Sequence, residues 1–220
     1  GSSFTQEECI LTTGGKMAIY LLLQYLCGLN SPLKANPSDK IGVMIQAPFW
    51  VSYPSITKIM DGKPVIINTT EAGGWKLTPE MLKAAYTPDC KVLMLNNGVN
   101  PTGIIYTRSE MQALLAMAVE LDLLVISDEV YSTLVYTDDE YVSCGSFPEY
   151  KKNVVVIQSA SKAFAMTGWR VGFLFAAPEI IDVMSALSTQ STTGVCLIAQ
   201  HGALAAFKHA DEINQWVNET

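Results

Sequence analysis

The chain has 220 residues, of which 49% are apolar and only 16% charged, with a formal net charge of −7. That apolar content is enough for a large core and excludes a disordered chain. The acidic balance, with no Lys/Arg cluster, argues against a nucleic-acid partner. The most apolar stretch, Ala18 to Leu29, is broken by Gln24 and falls short of the ~18 residues that cross a bilayer. So few surface charges also suggest that part of the surface is normally covered.

In chain order, short apolar runs alternate with helical patterns. Gly15 to Leu29 reads as a helix, Gly42–Ala47 and Val65–Asn68 as strands. Thr78-Pro79-Glu80 opens a second helix, with Thr as cap and Pro at the first helical position. A strand over Lys91–Asn96 follows. Thr107 and Glu110 then form a capping box before the helical run Met111–Leu121. Strands over Leu123–Ser127, Val154–Ser159 and Arg170–Ala176 come next, with helices from Pro178 to about Ser188 and over Val195–Phe207. Most of the strands are apolar at successive positions, as strands covered on both faces are. The alternation predicts one domain of the α/β class: three layers, α/β/α, around a mostly parallel sheet. Such sheets bind ligands beyond the carboxyl ends of their strands.

The five cysteines, Cys9, Cys27, Cys90, Cys144 and Cys196, are odd in number and lack C-x-x-C spacing, and the two histidines add no ligand pattern. They read as idle thiols of a reducing, cytoplasmic setting, with no metal site. No signal peptide is visible, and Gly1-Ser2-Ser3 is compatible with a tag scar.

Four segments carry polar residues at predicted strand ends or helix starts. Thr12-Thr13-Gly14-Gly15-Lys16 precedes an apolar helix, where small residues and free amides suit a phosphate; taken alone, such a Gly-Gly segment is more often only a turn. Its spacing does not fit a Walker loop. Asn96-Asn97-Gly98-Val99-Asn100-Pro101-Thr102-Gly103 has the composition of an ordinary turn. In Ser127-Asp128-Glu129-Val130-Tyr131, Asp128 ends an all-apolar strand, as a helix cap or as a carboxylate in a binding crevice. The fourth, Ser159-Ala160-Ser161-Lys162 through Trp169-Arg170, sets a lysine among apolar neighbours. Loss of hydration there predicts a depressed pKa, which favours a Schiff-base nucleophile. Arg170 offers a planar fork for a phosphate.

Taken together, Asn100-Pro101-Thr102-Gly103, Ser127-Asp128-Glu129-Val130-Tyr131 and Ser159-x-Ser161-Lys162-x-Phe164-x-Met166-Thr167-Gly168-Trp169-Arg170 resemble the signature of class I/II aminotransferases, enzymes of fold-type I that depend on pyridoxal 5'-phosphate (PLP). The resemblance runs from about Phe4 to Lys208 and is strongest toward the bacterial aspartate aminotransferases. It implies that Lys162 forms the Schiff base and moves the substrate's proton, and that Asp128 pairs with the pyridine nitrogen. By the same likeness Asn100 and Tyr131 bond the ring's phenolic oxygen, and Trp50 stacks on the ring. Gly15 and Lys16 amides, with Ser159 and Arg170, would hold the phosphate. Lys16, Trp50 and Asn100 would also face the substrate, the Lys16 side chain meeting a distal carboxylate. The implied substrates are an amino acid, aspartate foremost, and a 2-oxo acid, and the implied assembly is a homodimer.

Gly98-Val99, Gly194-Val195-Cys196 and the two-proline connection Leu29–Ile41 depart from the family pattern. Members are longer, so residues 1–220 are expected to be the PLP-binding large domain alone. The N-terminal arm and the C-terminal small domain with its carboxylate-gripping arginine would then be missing, and the fragment nearly inactive. Three rival readings remain. A carbon–sulfur lyase or another transaminase (aromatic, alanine or prephenate) would use the same scaffold. A PLP-sensing module of a transcription regulator would use the same site. A penicillin-recognising hydrolase would use Ser159-Ala160-Ser161-Lys162 as S-x-x-K, but the S-D-N and K-T-G partners are absent from the sequence.

Overall fold

Alternation along the strands builds two cores. In the computed structural model, which describes residues 4–219, Val43 and Ile45 of β2 (Gly42–Ala47) face one side of a sheet while Met44 between them faces the other. The pattern repeats in β4 (Cys90–Asn96), where Val92 and Met94 oppose Leu93 and Leu95. Both faces are covered, so the strands read as unbroken apolar runs. Gly1-Ser2-Ser3 lies outside the described residues.

Among the described residues seven strands form one sheet in the order β1-β7-β6-β5-β4-β2-β3. The others are β1 (Cys9–Thr12), β3 (Lys63–Asn68), β5 (Leu124–Asp128), β6 (Val154–Ser159) and β7 (Gly172–Phe175). From β3 to β6 every pairing is parallel, and β7 runs antiparallel to both of its neighbours. One face carries α1 (Gly15–Cys27), α2 (Ser52–Ile59) and α6 (Pro178–Ser191). The other carries α3 (Pro79–Ala85) and α4 (Arg108–Glu120). A single turn, α5 (Ala160–Ala163), follows β6, and α7 (Leu197–Lys208) and α8 (Ala210–Glu219) close the chain.

Local chemistry sets the helix starts. Thr78 accepts from the Met81 amide with Pro79 in the first turn, and Thr107 and Glu110 cap α4 reciprocally. α1 has no side-chain cap; Gly14 stands at its start with φ 93° and its carbonyl accepts the Met17 amide at 3.0 Å, while the Gly15 and Lys16 amides have no acceptor among the described residues.

The predicted three-layer, mostly parallel sheet is the observed one, with differences at its margins. β1, α2 and α8 were not anticipated. β1 is four residues long and mostly half-buried, and Pro54 disguises α2. α8 is polar, and its Trp216 is exposed. The last predicted strand starts two residues late, because Arg170 adopts a left-handed backbone (φ 57°) that no strand accommodates.

Candidate functional site

The carboxyl ends of β4, β5 and β6 and the start of the reversed β7 meet at one edge of the sheet. Around them lies a cavity of about 430 Å³. It brings together all nine residues singled out above: Gly15 and Lys16 from α1, Trp50 before α2, Asn100, Asp128, Tyr131, Ser159, Lys162 and Arg170.

Asp128 ends β5 and is 4% exposed. The Tyr53 hydroxyl donates to its Oδ2 at 2.6 Å, and the Val130 amide approaches Oδ1 at 3.4 Å. Burial pushes the Asp128 carboxyl up to about 6, against the pull of those two donors. Asn96, at the end of β4, donates from Nδ2 to the Asp128 carbonyl at 2.8 Å and accepts the Asn100 amide on Oδ1 at 2.8 Å. Asn100 Nδ2 reaches the Tyr131 hydroxyl at 3.4 Å. Burial and the nearby Asp128 charge raise the Tyr131 phenol, with Asn100 opposing. Lys162 Nζ lies 5.8 Å from the Tyr131 ring centre.

Lys162 itself corrects one expectation. Its apolar neighbours turn away: Met166 is buried, and Phe164 packs edge-on against Phe207 at 4.9 Å. The lysine is left exposed on the cavity rather than buried among its neighbours in sequence.

An anion cradle occupies the α1 side. Arg170 donates to the Thr167 and Thr13 carbonyls at 2.7 and 3.3 Å. Its guanidinium lies against Gly14, where a Cβ would come within 2.3 Å of Nη2. Gly172 lets the start of β7 approach equally closely, for a Cβ there would stand 2.5 Å from the Gly14 carbonyl carbon. The Ser159 hydroxyl donates to the Val171 carbonyl at 2.9 Å and accepts the Ser161 amide at 3.1 Å. Gly15 and Lys16, the first two residues of α1, line the same space, as the start of a helix that binds anions does. Lys16 Nζ sits 4.7 Å from the centre of the Trp50 ring, and Trp50 meets Tyr53 edge-on at 5.5 Å.

Tyr53, Asn96 and Thr167 line the cavity without having been singled out. Asn96 carried a readable signal, since it is the last residue of an apolar strand. Tyr53 lies one helical turn beyond Trp50, and recognising α2 would have brought it into view. Among the described residues no group of three or more His, Cys, Asp or Glu could hold a metal.

A lysine, a buried carboxylate and an arginine beside a helix start meet at the strand ends of an α/β sheet, an arrangement that can hold a ligand anionic at one end and cationic at the other. Sequence comparison gives the class its name: the family model described as Aminotransferase class I and II matches residues 1–220, and the chain belongs to that family. It is 38% identical over 213 residues to the aspartate aminotransferase of Geobacillus stearothermophilus, covering 96% of this chain and 52% of that protein. To the aspartate/prephenate aminotransferase of Thermus thermophilus it is 36% identical over 217 residues, covering 99% and 53%. The chain thus spans about half the length of the curated relatives it matches. The solved structure of Thermus thermophilus aspartate aminotransferase with maleate superposes with a TM-score of 0.90 at 35% identity, covering 100% of this chain and 55% of that one.

Proposed function

We propose that residues 1–220 are the PLP-binding large domain of an aminotransferase that moves an amino group between a dicarboxylic amino acid, aspartate foremost, and a 2-oxo acid. The observation that carries this is the convergence of Lys162, Asp128, Tyr131 and Arg170 on one cavity in a chain of this family.

The residues fit the cofactor. Arg170, the Gly15 and Lys16 amides, Ser159 and Ser161 would hold its phosphate in the cradle that the missing Cβ of Gly14 leaves open. Asp128 would face its ring nitrogen, Asn100 and Tyr131 its phenolic oxygen, and Trp50 its ring. When bound, PLP supplies the electron sink for the carbanion at the substrate's α-carbon. Lys162 Nζ would anchor the group covalently and take the α-proton. Asp128 would supply the negative charge for a cationic ring nitrogen, and Tyr131 and Asn100 would hydrogen-bond and orient the phenolic oxygen.

Lys16 supports the dicarboxylic reading. Its side chain is exposed at the cavity and rests on Trp50, free to meet a distal carboxylate by a charge-assisted bond. Maleate, held by the Thermus enzyme, is a dicarboxylate. We further propose a homodimer, with the exposed Leu197, Ile198, Leu204 and Phe207 of α7 as apolar surface to be covered. A cytoplasmic setting fits five free thiols, three of them buried. Among the described residues no helix is long and apolar enough to cross a membrane.

The test compares kcat/KM for aspartate and phenylalanine in the complete enzyme and its Lys16→Ala variant at saturating PLP. A selective loss for aspartate of roughly ten- to a hundredfold supports the dicarboxylic assignment. An equal loss for both donors leaves Lys16 as a neighbour of the phosphate only.

A further inference from the structure

Among the described residues one side chain donates to the Asp128 carboxyl group: Tyr53, through a 2.6 Å bond to Oδ2. The phenol is 2% exposed and fixed on several sides. Its ring meets Trp50 edge-on, its backbone carbonyl accepts from the Thr57 hydroxyl at 2.9 Å, and its neighbour Ile56 is part of the same core. Among the described residues Oδ1 has only the long contact with the Val130 amide. We propose that Tyr53 is the positioning residue of Asp128: its hydroxyl anchors Oδ2, sets the rotation of the carboxyl group and leaves Oδ1 as the oxygen that meets a cationic ring nitrogen. The identity of that cation rests on the PLP reading above; the Tyr53–Asp128 coupling does not.

The charge argument points the same way. A carboxylate this buried loses its charge unless something stabilises it, and here the Tyr53 hydroxyl is the first supporting contact and the Val130 amide the second. Tyr53 is held far above its ordinary titration range, by burial first and by the Asp128 charge next, so it stays a donor. The other groups around Asp128 do not replace it. Glu129, Tyr131 and Tyr141 feel its charge as like charges would. Lys16, Lys162 and Arg170 share the cavity but are not among the contacts that set its ionisation. Tyr53 thereby prepares an anion before any ligand arrives.

The test titrates the Asp128 side-chain carboxyl by carbon NMR in the ligand-free chain, in the parent and in Tyr53→Phe. The phenylalanine ring keeps the packing and deletes only the hydroxyl. The parent midpoint is expected near about 6. Tyr53→Phe should raise it by about one unit or more, and PLP should bind at least about twofold more weakly at pH 7, because a one-unit rise takes the ionised fraction from about nine-tenths to about one half. In an Asp128→Asn background the same substitution should cost no further affinity. An unchanged midpoint in Tyr53→Phe, or an equal loss of PLP affinity with Asn at 128, overturns the proposal. If the parent binds no PLP, the cofactor reading fails, while the carboxyl midpoint still decides the role of Tyr53. Should Tyr53→Phe not fold, para-aminophenylalanine at position 53 supplies a weaker donor of the same shape. A midpoint shifted upward then supports the proposal, and an unmoved one overturns it.

Discussion

Asp128 and Glu129 are neighbours in sequence with opposite surroundings. Asp128 opens on the cavity, whereas Glu129 is 0% exposed. Its Oε1 accepts the Ser127 hydroxyl and the Cys144 amide at 2.8 and 2.9 Å, and Oε2 has no partner among the described residues. Burial pushes the Glu129 carboxyl up to about 7. A group raised in the folded state holds a proton that the unfolded chain releases near its ordinary value of 4.5. Its stabilisation is full below that value and is lost as pH rises through about 7. We expect the melting temperature of the ligand-free chain to fall between pH 5 and pH 8, and Glu129→Gln to flatten part of that slope. Thermal melts across this range check it; an unchanged slope in Glu129→Gln contradicts the assignment. Asp128 could be read from sequence because it ends an apolar strand. Glu129 gave no such sign, since its environment comes from Cys144, fifteen residues away.

At the scale of elements, the strand runs were legible because helices cover both faces of the sheet, and α3 and α4 because their caps lie in the sequence. β1 and α2 were not. β1 exists through its ladder with β7, and α2 through its packing under Trp50 and Tyr53, neither of which a local pattern records. The approach of β7 to the start of α1 is such a relation, and it permits a prediction. An alanine at 172 would press its Cβ on the Gly14 and Gly15 backbone, which cannot yield as a flexible side chain would. Gly172→Ala should cost about 1–3 kcal/mol by overpacking and weaken anion binding in the cradle. Gly168→Ala, with nothing within 4 Å, is the control and should be near neutral. Calorimetry with phosphate titration reads both effects; equal behaviour of the two variants would contradict the close-approach argument.

Across the whole molecule, one antiparallel strand decides where the site can form. Because β7 reverses, its start delivers Arg170 to the edge where β4, β5 and β6 end with Asn96, Asp128 and Ser159. The residues that make the cavity were legible because each stands at a strand end or a helix start. Their mutual distances, the exposure of Lys162 and the bond from Tyr53 are products of packing and were not. The central claim is that this convergence serves a cofactor held by Lys162. The most direct measurement is to incubate the chain with PLP, reduce with borohydride and map the modified peptide by mass spectrometry. A single adduct on Lys162 is the predicted result; an adduct on Lys16 or another lysine, or none, would contradict it.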